Sequence, residues 1–245
     1  MKENNWFDPF YIQSHLNEEE SNIQKNVRDF CNNELKPTVV ERNRKNEFDK
    51  ELYPKFGSLG VLGQTVKTHG GSGTSNLAYG LVAYEFEKID SSYRSSISVQ
   101  SSLVIHPINE FGSQEQKDKY LPPLIKGEKI GCFGLTESEA GSDPTSMKTS
   151  FKKTKDGYII NGSKNWITNA PIADIFIIWA IEENKDHKSI KGFIIEKNTE
   201  GLNTSTIENK TSLKISPTGQ IILNNVFVPN NLCLENTEGW KSVFS

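Results

Sequence analysis

The hydrophobic period of this chain changes once, near residue 129, and that change limits it to two packed units of different kinds. Up to Ile125 apolar residues recur at helical spacing: Ile23, Val27 and Phe30 share one face, as do Tyr79, Val82, Phe86 and Ile89. After Gly127, β-branched and alternating runs take over at Tyr158-Ile159-Ile160, Ile175 to Trp179, Phe193-Ile194-Ile195, Ile221-Ile222-Leu223 and Val226-Phe227-Val228. No low-complexity linker separates the two patterns. The halves are therefore expected to pack together, and a cleft between them is the favoured place for a ligand. The expected fold class is α+β and multi-domain: an all-α helical domain over residues 1–129, followed by a mostly antiparallel β-barrel or sandwich over 130–238.

Local signals fill in this outline. Asn17-Glu18-Glu19-Glu20 and Ser113-Gln114-Glu115-Gln116 read as capping boxes, and Ser75 as the cap of a longer helix. Pro37 is placed at the first turn of a helix through Arg42, and Leu52 to Leu59 forms a short one before the Gly60-Val61-Leu62-Gly63 turn. A helix from Ser91 to about Phe111 is crowded with serines, so its backbone can approach a neighbouring helix or a ligand closely. His106 is expected to cap or pack at a break made by Pro107, and Pro122-Pro123 to end the helix begun at Ser113. Asp156-Gly157 and Asn161-Gly162 read as tight turns on either side of a strand.

Composition excludes several classes. A formal charge of −3 over 245 residues argues against nucleic acid as a partner. No apolar run reaches membrane length and no signal or Arg-rich transit segment opens the chain, which points to a cytoplasmic protein without a membrane partner. Cys31, Cys132 and Cys233 are odd in number and far apart, as expected of buried reduced thiols.

Two segments carry chemistry. Phe133-Gly134-Leu135-Thr136-Glu137 runs as a strand into the small-residue loop Ser138 to Asp143, where Gly141 tolerates positive φ and Ser142 adds a hydroxyl suited to phosphate oxygens. Lys164-Asn165-Trp166-Ile167-Thr168-Asn169 places a flat indole beside a hydroxyl, a pair that suits a planar, hydrogen-bonding cofactor. Glu137 and Glu139 read as solvated loop residues. Arg94 sits among small uncharged neighbours and needs a partner. It is either one end of a structural ion pair or the ligand of a carboxylate, the anion a guanidinium fork fits best. Glu87 lies seven residues earlier, which along one continuous helix is a separation of about 10 Å, too far for a tight pair but suited to meeting around a ligand.

The order helical half, FGLTE, GSD, β half with KNWITN resembles the acyl-CoA dehydrogenases over essentially the whole chain. The stretch from Asp90 to Ser96, with Ser98-Val99-Gln100-Ser101-Ser102-Leu103-Val104 and His106-Pro107, is similar to the glutaryl-CoA branch. The resemblance implies FAD held by Phe133, Leu135, Thr136, Gly141, Ser142, Trp166, Ile167 and Thr168, with Ser142 also near the substrate. It implies a glutaryl-CoA or related acyl-CoA substrate whose distal carboxylate meets Arg94, Ser95 and Ser98, with Glu87 as electrostatic neighbour. It also implies α,β-dehydrogenation with decarboxylation to crotonyl-CoA, electron-transferring flavoprotein as acceptor, a homo-oligomer, and the mitochondrial matrix as an alternative location. The family's base is a glutamate on a C-terminal helical bundle, so no catalytic residue is assigned here and residues 239–245 read as the start of that bundle. On this reading the chain is a truncated or split dehydrogenase, or else a non-catalytic remnant or a subunit that needs a second polypeptide. Lys214 stands where relatives commonly carry arginine, and loses the bidentate fork.

Overall fold

The structure is a computed structural model that describes residues 8, 10–185, 189–237 and 239–244. The expected domain limits at residues 1, 238 and 245 lie outside the described residues. Both capping boxes form. Asn17 caps α1 (Glu18–Phe30) and Ser113 caps α7 (Gln114–Ile125), each with its third helical residue bonding back. Between them run α2 (Val39–Lys45), α3 (Leu52–Ser58), α4 (Asn76–Glu87), α5 (Ser91–Ser98) and α6 (His106–Phe111). The helix α5 continues through a π-helical stretch, Val99–Ile105, directly into α6, so residues 91–111 make one rod.

Two proline expectations are corrected here. Pro107 does not break the rod, because it falls in the first turn of α6, just after the wider π winding. Pro122 and Pro123 do not end α7, which reaches Ile125. Their carbonyls still accept from Lys126, Glu128 and Lys129, so the last turn stays bonded.

The second half is one curled sheet of seven strands: β1 (Gly131–Gly134), β2 (Ser150–Lys153), β3 (Gly157–Thr168), β4 (Ile175–Glu182), β5 (Lys191–Glu196), β6 (Leu202–Thr206) and β7 (Thr218–Pro229). Four pairings are antiparallel: β2–β3, β3–β7, β4–β5 and β6–β7. β1 and β2 both run parallel to β4, a pairing that needs long crossovers and leaves no turn signature in the sequence. Asp156-Gly157 does turn the chain from β2 into β3, with Thr154 N–H donating to the Gly157 carbonyl. Asn161-Gly162 is corrected: it lies inside β3, opposite a bulge in β7 where Asn224 and Asn225 face Asn161 alone, with Gly162 at φ 145°. A Cβ on Gly162 would lie 2.5 Å from the Thr149 hydroxyl, so glycine here serves close approach and not reversal.

β4 explains why the halves pack as one body. Ile175, Ile177 and Trp179 join the core shared with the helices, while Phe176, Ile178 and Ala180 face the interior of the curled sheet. Both faces of the strand are buried, hence its unbroken apolar run. The rod closes on β1 so tightly that a Cβ on Gly131 would lie 2.4 Å from Val104 Cγ1. Buried Gln100 donates to the carbonyls of Leu124 and Lys129 and accepts from Gly131 N–H at 2.8 Å. Buried Asn169 donates to the Gly131 carbonyl and to the Tyr53 hydroxyl. Of the two uses left open for the serines, Ser92, Ser96 and Ser101 are buried against protein, and Ser101 accepts from Gly63 N–H. The three cysteines are free and buried, and burial pushes the Cys31 thiol up to about 12. Among the described residues no helix is long and apolar enough to cross a membrane.

Gln100→Leu keeps the volume but leaves the Gly131 N–H without its acceptor. It should lower the unfolding free energy by about 1–3 kcal/mol in urea titrations. A change below the error of the titration would show that the seam does not rest on this side chain.

Candidate functional site

A recess of about 220 Å³ opens where the rod meets the start of the sheet. Phe133, Leu135 and Thr136 form one wall, at the end of β1 and just beyond it. Trp166, Ile167 and Thr168 form the second at the end of β3, and Val99 and Leu103 of the π-helical stretch form the floor. Six of the residues assigned to cofactor binding thus come together, and the rod residues Val99 and Leu103 were not foreseen. A larger groove of about 740 Å³ lies between α1 and α4 beside Arg28 and Tyr84, and is lined by neither motif.

The second wall exists because β3 bulges. Its register against β7 shifts between Lys164 and Ile167, and Trp166 takes the left-handed conformation at φ 60°. That conformation costs a non-glycine residue about 1–3 kcal/mol. The bulge turns the indole outward, leaving it 59% exposed at the mouth of the recess. Asn165 holds the strained unit: its N–H donates to the Thr136 carbonyl at 2.9 Å, its amide nitrogen to Ser138 Oγ, and its side-chain oxygen accepts from Trp166 N–H. The Thr136 and Thr168 hydroxyls have no hydrogen-bond partner among the described residues. An exposed flat ring flanked by two available hydroxyls fits an aromatic, hydrogen-bonding cofactor such as an isoalloxazine.

Beneath this wall lies an interaction that the sequence reading missed. Glu137, expected to be solvated, is only 9% exposed, and its carboxylate accepts from Lys164 Nζ at 2.8 Å, Lys148 N–H at 2.7 Å and Thr149 N–H at 3.0 Å. Lys164 is fully buried and also donates to the Leu135 carbonyl at 3.0 Å. Burial pulls the Lys164 ammonium down to about 8 against the pull of Glu137. Burial alone would raise the Glu137 carboxyl, but the Lys164 charge and the hydrogen bonds from Lys164, Thr149 and Lys148 outweigh it and hold the group below its ordinary value. The available signal was parity: Lys164 falls on the same side of the strand as inward Tyr158 and Ile160, and the bulge after it turns Trp166 out of that alternation. Glu139 is exposed and pairs with Lys148, in line with its expected solvation.

Of the residues expected to meet a carboxylate, Arg94, Ser95 and Ser98 lie along the same rod. Arg94 is five residues before Val99, about 7 Å along the axis. The expected separation of Arg94 from Glu87 is corrected: Nε donates to Glu87 Oε2 at 2.8 Å. The helical path ends at Glu87 and restarts at Ser91, with Asp90 as the new cap, so rise along one helix does not measure the gap. Ser91 also donates to Glu87, and this hydroxyl together with Arg94 keeps the carboxyl below its usual range. Ser95 and Ser98 are half-buried on α5 beside Arg94. Gly141 and Ser142 lie on an exposed loop that does not line the recess. Lys214 is half-buried in a segment held by Lys210, whose ammonium donates to the carbonyls of Leu213 and Ser216 and to the Thr218 hydroxyl.

Comparisons with known proteins converge on one family. The family model for the acyl-CoA dehydrogenase N-terminal domain matches residues 17–128, and that for the acyl-CoA dehydrogenase middle domain matches residues 132–226. A short-chain-specific acyl-CoA dehydrogenase of Clostridium acetobutylicum is 38% identical over 87% of this chain and 57% of its own length. The crystal structure of a glutaryl-CoA dehydrogenase from Mycobacterium smegmatis in complex with FADH2 is similar at TM-score 0.92 and 39% identity, over 95% of this chain and 59% of that one. Butyryl-CoA dehydrogenase from Megasphaera elsdenii is similar at TM-score 0.87 and 37% identity, over 93% and 61%. The chain thus spans about three-fifths of the length of the relatives it matches.

The buried pair makes two stability predictions. Lys164→Met leaves the Glu137 charge uncompensated and should cost about 3–5 kcal/mol in urea unfolding. A loss under about 1 kcal/mol would rule the pair out as a buried ionic contact. Because the folded carboxyl of Glu137 lies below its unfolded value of about 4.3, its contribution is present above that pH and is lost as pH falls through the folded value. Glu137→Gln should therefore flatten the acid limb of stability against pH. An unchanged limb would assign the acid sensitivity to other carboxylates.

Proposed function

The chain belongs to the acyl-CoA dehydrogenase family, oxidoreductases acting on CH–CH donors, and on that premise we propose that it forms the flavin-facing part of an FAD-dependent dehydrogenase of the glutaryl-CoA type. The observation that carries the cofactor is the Trp166 wall: an outward indole, held in a strained conformation, between the Thr136 and Thr168 hydroxyls. FAD bound there would supply a two-electron acceptor for a hydride from the β-carbon of an acyl thioester. Trp166 offers its ring a flat apolar surface, the two threonines offer donors to its polar edge, and Val99 and Leu103 keep water from the recess.

Arg94 supports the choice of a dicarboxylate-derived thioester over a plain fatty acyl one. It is a half-buried guanidinium with one of its donors on Glu87, on the same rod as Val99 and Leu103 of the recess. The reaction we assign removes a proton from the α-carbon and a hydride from the β-carbon, then releases the distal carboxylate as CO2, and a proton returned to the γ-carbon of the resulting dienolate leaves crotonyl-CoA. Electron-transferring flavoprotein as acceptor and assembly as a homo-oligomer belong to the same proposal. The proton acceptor is not among the residues that line the recess, since none of them is a carboxylate and Glu137 is turned onto Lys164. We therefore assign the base to polypeptide beyond these two walls, whether in the same molecule or a second subunit.

Arg94→Ala should weaken glutaryl-CoA binding by about 1.5–3 kcal/mol, the range of a hydrogen bond to a charged group, and leave butyryl-CoA nearly unchanged. Isothermal titration of FAD-loaded protein with both thioesters measures this. Equal losses on the two ligands would remove Arg94 from carboxylate recognition, and protein that takes up no FAD would remove the cofactor assignment.

A further inference from the structure

Lys164 does not line the recess, yet its head group sits where the two motifs are tied together. Four successive positions after β1 are bonded to two successive positions of β3. The Leu135 carbonyl and the Glu137 carboxylate accept from Lys164 Nζ, while the Thr136 carbonyl and Ser138 Oγ accept from Asn165. Trp166 is the next residue, already at φ 60°, and its N–H is spent on Asn165. The methylene stem of Lys164 fills the space over Gly134, where an added Cβ would come within 3.2 Å of its Cγ and 2.6 Å of Ile178 Cδ1. Both ends of the lysine are therefore fixed, the stem by packing and the ammonium by two acceptors.

We propose that Lys164 is a positioning residue: its ammonium, shared between the Leu135 carbonyl and Glu137, latches the first wall to the Trp166 bulge and sets the orientation of the indole. The inference rests on the assignment of Trp166 as the cofactor-facing ring. Loss of charge on Lys164 removes the ionic half of the latch and lets the bulge relax toward an ordinary strand. Among the described residues Glu137 is the titratable side chain in contact with the ammonium. The other neighbours are Met147, whose sulfur is 3.9 Å away, Gly134 of β1, and Ile221 opposite on β7. Lys148, next to Met147, directs its own ammonium to Glu139. Because burial places the Lys164 ammonium at about 8, the latch opens within the range of ordinary buffers.

The test reads the indole in FAD-free protein. Emission of the full chain is recorded from about pH 6.5 to 9.5, and the same scan on Trp166→Phe is subtracted to isolate Trp166. The wild type should show a transition with a midpoint near 8. Glu137→Gln withdraws the anion that favours the charged lysine, so the midpoint should fall by about one unit or more. The double variant Glu137→Gln/Lys164→Met replaces both charges with neutral groups of similar volume, a change that buried ion pairs tolerate. It should unfold cooperatively, lose the transition, and bind FAD about tenfold less tightly, the scale on which outer supporting groups act on bound ligands elsewhere. A flat wild-type signal, a midpoint unmoved in Glu137→Gln, a transition that survives in the double variant, or wild-type FAD affinity in the double variant would each overturn the latch. FAD uptake by the wild type is a separate measurement that tests the flavin assignment alone, since the tryptophan transition is read without cofactor.

Discussion

The site depends on one buried ion pair. Lys164 and Glu137 come from segments 27 residues apart, and their contact fixes how the end of β1 and the residues just beyond it meet the strand carrying Trp166. Such a pair is a poor source of net stability, because desolvating two charges consumes most of what their attraction returns. Its value here is geometric. The carboxylate has three donors and the ammonium has two oxygen acceptors, so only one arrangement of the two walls satisfies both.

The same logic holds at larger scale. The helical half and the sheet share β4, whose alternate side chains belong to two different cores, so neither unit closes its interior without the other. Polar contacts then fix how the two units dock. Gly131 has its N–H on Gln100 and its carbonyl on Asn169, one partner from the rod and one from the end of β3. The rod therefore meets the recess in a fixed position, and residues as far apart as Arg94 and Trp166 are placed relative to one another by a rigid seam.

Much of this was legible in the residues. The change of period marked the two units, both capping boxes and the Asp156-Gly157 turn formed as read, and six of the eight cofactor-assigned residues gather at one recess. What was not legible depended on non-local geometry. Asn161-Gly162 has the composition of a turn, but β7 pairs on both sides of it and keeps it in the strand, taking the bulge itself at Asn224-Asn225. Pro107 was absorbed by π winding that no local propensity encodes. Glu87 and Arg94 touch because two helices meet at Asp90, and Glu137 is buried because a lysine 27 residues later reaches it. Charged residues were the hardest to place, since their burial is decided by a partner and not by their own character.

Trp166 occupies a backbone conformation in which glycine or asparagine would be at ease, and presents a large apolar ring where a polar side chain would be better solvated. Selection for robustness and selection for the ring therefore act on this position in opposite directions. Replacing the indole by glycine or asparagine there should gain folding margin at the expense of the apolar surface it offers.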